Sequence, residues 1–292
     1  MRRFKFKQVD VFTRVAFSGN PVAVVLDAGP LDPAEMQRLA SWTNLSETTF
    51  VLPPEQPEAD YRLRIFTPHR ELPFAGHPTV GSAHAILESG IFGPGTDGLI
   101  QECGAGLVKL EILDSGTGRR IMVNSPVPRI TPWEVTKPGE LERALGTDIN
   151  EDNTPLVVDV GPRWLVVEFP TQEAVRALRP DFIQVSALNG ASDTTGITVF
   201  GFSGVNDVAV YVRSFAPVEG IPEDPVCGSG NISVGAYLLY KGLHARTGLS
   251  YLANQGRELG RDGYVYVTLD PETSSIKMGG HAVTCIDGVL TC

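Results

Sequence analysis

A carboxyl group at residue 47 is the first candidate for chemistry in this chain. Glu47 lies in the segment Ser46-Glu47-Thr48-Thr49, on a loop directly before a predicted strand. A loop acid of this kind is often simply solvated, but burial would raise its pKa toward the working pH. A single carboxyl with such a pKa can take a proton from a substrate carbon and return it elsewhere. The local sequence therefore allows a solvated acid or a one-base proton carrier.

His77 and Asp224 each flank the start of a predicted helix. His77 could donate a hydrogen bond or a proton to a substrate oxygen, and Asp224 could hold an amine or a hydroxyl group, or His77 itself. The purely structural alternatives are a helix-start cap for His77 and a turn acid before Pro225 for Asp224. Local sequence leaves both interpretations open.

Two predicted helix N-termini could bind an anion. Gly76-His77 and Gly228-Ser229 open helices that are expected to stop at Gly90 and Gly242. The first N–H groups of a helix are unpaired and carry a partial positive charge of about half an electron. Such a site suits a carboxylate, and glycine lets a ligand approach the backbone closely. The glycines could merely make tight turns, but two matched copies favour a ligand site.

Cys227 comes immediately before the second of these helices, where the helix N-terminus is expected to lower its thiol pKa. Such a thiol suggests a racemase with one cysteine on each side of the substrate, but the matching residue of the first copy is Ala75. We therefore interpret Cys227 as a small residue of a pocket wall. The sequence contains no HExxH, no GxxxxGK[ST] and no Gly-x-Ser-x-Gly motif, and no metal site is predicted.

The elements that must position these residues occur twice. Arg-x-Phe-x-Pro begins at Arg64 and again at Arg213, and each copy leads through a loop into the glycine-opened helix. Predicted strands and helices follow in the same order in both halves, which indicates two copies of one unit. Both helices are apolar around most of their circumference and must be buried. We predict an α+β fold with two duplicated domains, each a mostly antiparallel, barrel-like sheet around a central helix.

The boundary between the predicted domains lies between residues 128 and 129. The first repeat is expected over 1–128 and the second over 129–292, with the option that the last strand pairs back with the first domain. The proline-rich segment 126–133 is predicted to be a linker, because proline interrupts both helices and sheet ladders.

Length and composition are those of a globular protein. The 292 residues suffice for two domains, and a net charge of −10 with a pI near 5.0 argues against nucleic acid or an anionic membrane as partner. We find no secretory signal and no run of about 20 apolar residues. The four cysteines form no CxxC motif, which favours reduced thiols. The sequence therefore predicts a cytoplasmic protein.

Four segments together resemble the PhzF-like (phenazine biosynthesis) family: GNPVAVV from Gly19, LSETTFVL from Leu45, RIFTPHRELPFAGHPTVGSAH from Arg64 and EDPVCGSGN from Glu223. The resemblance covers essentially the whole chain. It implies the diaminopimelate epimerase fold, with a site in a cleft between the two domains and no metal or organic cofactor. In the phenazine enzyme the acid of the Ser-Glu-Thr motif moves a proton within dihydro-hydroxyanthranilic acid. The family includes dimers, so a homodimer is expected.

Carried over residue by residue, the resemblance implies that Glu47 is the acid/base group and that His77 and Asp224 assist at the polar groups of the substrate. The substrate-binding residues that it implies are Gly76, Gly228, Ser229, Asn20, Ser46 and Cys227. We therefore expect a cofactor-independent isomerase acting on a small carboxylic acid, with a cyclic acid favoured. The alternatives are a racemase or epimerase that uses Cys227 with a non-thiol partner, and a protein that binds a small carboxylate without turning it over.

Overall fold

Two compact units make up the computed structural model, which describes residues 1–116, 118–134, 139–149, 154–205 and 207–292. The first unit comprises Met1–Asn124 and Gly279–Cys292, and the second comprises Ser125–Met278. The predicted division into two domains, 1–128 and 129–292, stays a prediction.

Most helices and strands of the first unit come first along the chain. They are β1 (Arg3–Val11), β2 (Asn20–Val25), α1 (Pro33–Thr43), β3 (Thr48–Leu52), β4 (Tyr61–Phe66), β5 (Glu71–Leu72), α2 (Gly76–Glu88), β6 (Gly98–Cys103), β7 (Gly106–Ser115) and β8 (Gly118–Asn124).

Further helices and strands complete the chain. They are β9 (Arg129–Pro132), α3 (Glu140–Leu145), β10 (Leu156–Asp159), β11 (Arg163–Phe169), α4 (Gln172–Ala177), α5 (Phe182–Ser192), β12 (Gly196–Phe202), β13 (Val208–Ala216), β14 (Ile221–Asp224), α6 (Gly228–Tyr240), β15 (Ser250–Gln255), β16 (Gly263–Asp270), β17 (Ser275–Gly280) and β18 (Ala282–Thr291). The last strand, β18, pairs antiparallel with β1 in the first unit.

The strand pairing repeats between the two units. In the first unit β2 runs parallel to β3, β4 is antiparallel to β3 and β5, and β6 runs parallel to β4 and antiparallel to β7. In the second unit β11 runs parallel to β12, β13 is antiparallel to β12 and β14, and β15 runs parallel to β13 and antiparallel to β16. The two patterns match strand for strand, so the duplication is present in the backbone.

One buried helix lies at the centre of each unit. Helix α2 contacts β1, β2, β3, β8 and β18, and α6 contacts β10, β11, β12 and β16. Most residues of both helices are buried, as their nearly all-round apolar sequence predicts. Gly90 and Gly242 follow these helices in the left-handed conformation, at φ 76° and 69°, and end them where the sequence suggested. The predicted fold class is confirmed in both units.

The segment predicted as a linker is partly a strand. Within 126–133, Arg129–Pro132 forms β9 and pairs antiparallel with β10. Among the described residues β10 is its sole strand partner, so β9 is an edge strand, where proline costs no ladder hydrogen bond. The linker prediction was therefore wrong for these four positions.

Within the described ranges, no helix has both the length and the apolarity to cross a bilayer.

Candidate active site

Parallel pairing of β2 and β3 determines where Glu47 lies. The register aligns Ala23 with Thr48, and the amide of Ala23 donates to the Glu47 carbonyl at 3.4 Å. Glu47 therefore comes just before the first residue of β3, beside the first residues of β2. Parallel strands begin at the same edge of a sheet, so Pro21 and Glu47 share that edge.

The side chain of Glu47 is mostly buried next to His77. Only 15% of the Glu47 side chain and 6% of that of His77 are exposed, and Oε2 lies 3.2 Å from His77 Nδ1. Among the described residues, that oxygen has no hydrogen-bond partner of acceptable geometry. Burial raises the pKa of Glu47 to about 7, and the Ser46 hydroxyl partly opposes the rise. The expectation of a raised pKa is confirmed, and desolvation is its main cause.

The other ring nitrogen of His77 indicates where its proton lies. Nε2 is 3.4 Å from the carbonyl oxygen of Pro21, which can only accept a hydrogen bond. We therefore assign the N–H to Nε2, which leaves a lone pair on Nδ1 of the neutral ring. A lone pair facing Oε2 favours the protonated form of the Glu47 carboxyl, because that form can donate to Nδ1. With a pKa of about 7, the Glu47 carboxyl can hold this proton near neutral pH.

Helix α2 begins without a side-chain cap. Ala75 occupies the N-cap position and supplies no side-chain hydrogen bond. Gly76 and His77 are the first helical residues, and both are buried. Gln101 on β6 fixes this turn, because its Nε2 donates to Thr79 Oγ1 at 3.1 Å. The amides of the first turn are therefore held in place with no side chain of their own to cap them.

In the second unit the corresponding helix start contains Asp224, Cys227, Gly228 and Ser229. Asp224 ends β14, and its Oδ1 accepts from the Val226 amide at 3.0 Å. The N-cap residue of α6 is Cys227, whose sulfur accepts from the Gly230 amide at 3.3 Å. This places all four of these predicted site residues at the start of α6 or just before it.

The Cys227 thiol does not behave as its position before a helix suggested. It is 4% exposed, and burial, followed by the charge of Asp224, raises the pKa of the thiol well above its ordinary value. The expectation of a lowered pKa was wrong, because desolvation outweighs the helix N-terminus. A protonated thiol is a poor base, which weakens the racemase alternative.

The position that corresponds to Glu47 in the second unit is Thr195. Its amide donates to the Arg163 carbonyl at 2.7 Å, and its hydroxyl accepts from the Arg163 amide at 3.1 Å. Thr195 thus closes the backbone at the start of β12 and supplies no acid. As the sequence indicated, the carboxyl occurs in one copy.

Sequence reasoning missed two residues that hold the second helix start. Gln255 accepts from the Cys227 amide and from Asn231 Nδ2, each at 3.1 Å, and donates to the Asp224 carbonyl at 2.9 Å. Trp164 Nε1 donates to Ser229 Oγ at 3.0 Å. The signal for Gln255 was its repeat match to Gln101, whereas no local pattern marked Trp164.

The remaining predicted binding residues adjoin the Glu47 and His77 pair in the chain. Asn20 is the first residue of β2, one position before Pro21, and is 1% exposed. Ser46 directly precedes Glu47. The binding roles predicted for Asn20 and Ser46 stay predictions, as does the expectation that both helix starts serve one shared site.

Comparison with known proteins places the chain. A family model described as phenazine biosynthesis-like protein (PhzC-PhzF) matches residues 9–288. The chain belongs to this family. A Pseudomonas fluorescens member named trans-2,3-dihydro-3-hydroxyanthranilate isomerase is 34% identical over 97% of each chain. A Schizosaccharomyces pombe protein named antisense-enhancing sequence 1 is 43% identical over 99% of each.

A solved PhzF family structure supports the same placement. The phenazine biosynthesis protein from Bacillus anthracis matches with a TM-score of 0.86 at 27% identity, and the match covers 100% of both chains. The resemblance and the fold predicted from the sequence are confirmed. Because PhzF-like relatives that match over the full length are named isomerases, the chain is an enzyme of the isomerase class. Individual residue roles, cofactor independence, the homodimer and the absence of nucleic-acid binding stay predictions.

Proposed function

We propose that this enzyme moves a proton within a small carboxylic acid and that Glu47 is its acid/base group. The observation that carries the proposal is the buried Glu47 oxygen, 3.2 Å from His77 Nδ1, on a carboxyl whose burial raises its pKa to about 7. A group with a pKa near the working pH can both accept and return a proton. Glu47 alone therefore suffices for both halves of an isomerisation.

The proposed step is balanced without a second reactant. The ionised Glu47 removes a proton from an activated substrate carbon, and the electrons of the broken C–H bond enter the conjugated system of the substrate. The Glu47 acid then delivers the proton to a different carbon and is ionised again. His77 Nδ1 accepts a hydrogen bond from the acid between the two transfers. No electrons leave the substrate, so we propose that no cofactor takes part.

We further propose that the residues at the start of α6 bind the substrate's polar groups. The first amides of this 13-residue helix favour an anion, and Gly228, although buried, has no side chain that would keep a ligand from its backbone. Ser229 is partly exposed, so its hydroxyl can contact a ligand. In this assignment Gly228 and Ser229 bind the carboxylate, and Asp224 holds an amine or hydroxyl group. Gly76 at the start of α2 is proposed to contribute in the same way.

The substrate class follows from the chemistry and the family together. Proton transfer between carbons needs a conjugated system that can delocalise the electrons of the broken C–H bond. The P. fluorescens relative is named for trans-2,3-dihydro-3-hydroxyanthranilate, a cyclic acid with such a system. We propose a cyclic, unsaturated carboxylic acid as the substrate of this chain.

Solvent deuterium exchange tests the role of Glu47. The wild type and a Glu47→Gln variant are incubated in D₂O with trans-2,3-dihydro-3-hydroxyanthranilate, and deuterium at the substrate carbons is followed by NMR. Glutamine keeps the shape but cannot ionise, so we expect the rate to fall by roughly 10²–10⁴-fold. Glu58→Gln, at an exposed glutamate, serves as the control and should exchange at the wild-type rate. Wild-type exchange in the Glu47→Gln variant would refute the role.

A further inference from the structure

We propose that Trp164 is a positioning residue that orients the Ser229 hydroxyl to donate a hydrogen bond to the carboxylate of the substrate. The proposal rests on the proposed function, because it concerns the carboxylate-binding residues at the start of α6. It adds a residue that neither the sequence motifs nor the family name single out.

The indole of Trp164 is fixed in place. Its side chain lies on β11 and is 3% exposed. A Cβ atom on Gly196, the residue aligned with Trp164 across β11 and β12, would come within 2.5 Å of the ring atom Cζ3. The ring therefore packs directly on the Gly196 backbone. Because the indole N–H can only donate, its 3.0 Å contact with Ser229 Oγ has one direction.

That direction constrains what Ser229 can offer a ligand. A hydroxyl has one proton and two lone pairs, and the Trp164 N–H uses one of the lone pairs. The Cys227 sulfur lies 3.6 Å from the same oxygen, and either atom could be the donor in this long contact. Because sulfur is only a weak acceptor, a bound oxygen acceptor would compete well for the Ser229 proton. An oxygen anion is the ligand that such a hydroxyl recognises best, because a hydrogen bond to a charged acceptor is the stronger kind.

His77 occupies the position in the first unit that Ser229 occupies in the second, but its hydrogen bond to the neighbouring strand runs in the opposite direction. His77 and Ser229 are both the second residue of their central helix. His77 gives its Nε2 proton to the Pro21 carbonyl on β2, whereas Ser229 receives a proton from Trp164 on β11, the repeat equivalent of β2. The first arrangement turns a lone pair toward Glu47, and the second leaves a proton for a ligand. One scaffold position thus serves proton transfer in one copy and anion binding in the other.

Indole NMR signals test the proposal without turnover. The chain has three tryptophans, so a ¹⁵N–¹H spectrum contains three indole signals that Trp→Phe variants assign. The probe is 3-hydroxyanthranilate, titrated into the wild-type chain. We expect the Trp164 signal to shift saturably. Trp133, whose Nε1 donates to Ser192 Oγ at 3.4 Å, and the exposed Trp42 should not move.

Matched variants separate positioning from general packing. Trp164→Phe keeps an aromatic ring but removes the N–H, and we expect the Kd for 3-hydroxyanthranilate to rise about tenfold. Trp133→Phe makes the same change at the other serine-bonded tryptophan and should leave the Kd unchanged. In a Ser229→Ala background, Trp164→Phe should add nothing, because the two residues act through one hydrogen bond.

The outcomes distinguish this proposal from the proposed function. If the probe binds but the Trp164 signal stays fixed, or Trp164→Phe binds with the wild-type Kd, the positioning role is overturned and the carboxylate site remains. If the probe does not bind the wild type at all, the carboxylate site and the Trp164 role both fail. Glu47-dependent deuterium exchange decides the proton-transfer role separately.

Discussion

The burial that suits Glu47 to its proposed role also costs stability when the carboxyl is ionised. Burial makes the Glu47 carboxyl costly to ionise, which is why its pKa is raised. A carboxyl that carries protons needs such a raised pKa, because an ordinary surface carboxylate would hold no proton at neutral pH. The same property makes the folded state sensitive to pH, and the sign of that effect can be predicted.

We expect Glu47 to destabilise the fold as the pH rises from about 4.5 to 7. Its pKa is 4.5 in the unfolded chain and about 7 in the fold, so between these values the folded state binds more protons. The free energy of unfolding therefore decreases with rising pH, by at most about 3 kcal/mol from this group. Glu47→Gln should remove the effect and exceed the wild type in stability at pH 8, with little difference at pH 4.

Urea unfolding of the wild type, Glu47→Gln and Glu58→Gln at pH 4, 6 and 8 measures this. The exposed Glu58 is the control, and its variant should follow the wild-type pH profile. If Glu47→Gln has the wild-type profile as well, Glu47 does not retain its proton in the fold.

The candidate site residues could be predicted from the sequence, but their contacts with one another could not. Glu47 and His77 stood out by motif and by position before a strand or at a helix start. Their contact depends on the β2–β3 register, and the Nδ1 lone pair depends on the Pro21 carbonyl. Neither the strand register nor the position of the Pro21 carbonyl can be deduced from the types of the residues. The prediction of a lowered pKa for Cys227 was wrong for a related reason. Burial and the helix N-terminus shift the thiol pKa in opposite directions, and the sequence does not show how deeply the thiol is buried.

Each central helix follows a hairpin that an arginine–glutamate pair holds. In the first unit Arg64 makes two hydrogen bonds, of 2.7 and 2.6 Å, to the carboxylate of Glu71. In the second unit Arg213 makes two, both 2.8 Å, to Glu223. The repeated Arg-x-Phe-x-Pro motif therefore encodes a structural clamp, and each guanidinium also lies over the phenylalanine two residues later.

The two clamps should differ in strength because they differ in burial. Arg213 and Glu223 are 4% and 7% exposed, against 17% and 41% for Arg64 and Glu71. Arg213→Gln leaves a buried carboxylate without its partner, and we expect a loss of about 3–5 kcal/mol in the free energy of unfolding. Arg64→Gln should lose no more than about 1 kcal/mol. If urea unfolding gives the same loss of stability for Arg213→Gln and Arg64→Gln, burial does not determine the strength of the arginine–glutamate pairs.

Helix α2 needs glycine where its neighbours come closest. A Cβ on Gly81 would lie 2.4 Å from Val22 Cγ1 and 2.8 Å from Val11 Cγ2, both on stiff β-branched side chains. We expect Gly81→Ala to destabilise by about 1–3 kcal/mol, despite the helix preference for alanine. Gly190, in the last turn of α5 with nothing within 4 Å of its Cβ position, is the control. Gly190→Ala should stabilise the fold by about 0.5–1 kcal/mol. Thermal unfolding of both variants tests this, because the melting temperature should fall for Gly81→Ala and rise for Gly190→Ala.

Elements with strong local signals were predictable, and elements defined by their partners were not. Helix α1 has a strong local signal, because Asp32 and Glu35 form a capping box ahead of an apolar face. Helix α5 was missed, because its sequence contains Ser, Asn and Gly among apolar residues, although Asp181 caps it. The segment that forms β9 was predicted to be a linker, because its proline, Pro132, is acceptable only in an edge strand, and β9 is recognisable as one only from its pairing with β10.

Over the whole chain, duplication supplies two similar scaffolds whose helix starts have diverged. Both units keep the parallel strand pair, the clamp hairpin and the buried helix. The first keeps the acid at position 47, whereas Thr195 closes the backbone at the matching place. Under the proposed function, one copy carries the proton-transfer group and the other binds the carboxylate, while both keep the same core.

The first unit is completed by the end of the chain, and removing that end should affect the two units differently. A chain ending at His281 lacks β18. Among the described residues β1 then keeps only β2 as a strand partner, and buried Lys7 loses its ion pair with Asp287. We expect β1 amides to lose about 2 kcal/mol of protection in hydrogen exchange, roughly a 30-fold faster rate. The β11 and β12 amides of the second unit should keep their rates. A chain lacking only the exposed Cys292 is the control. Loss of protection in both units alike would mean that they unfold as one, against the predicted division into domains.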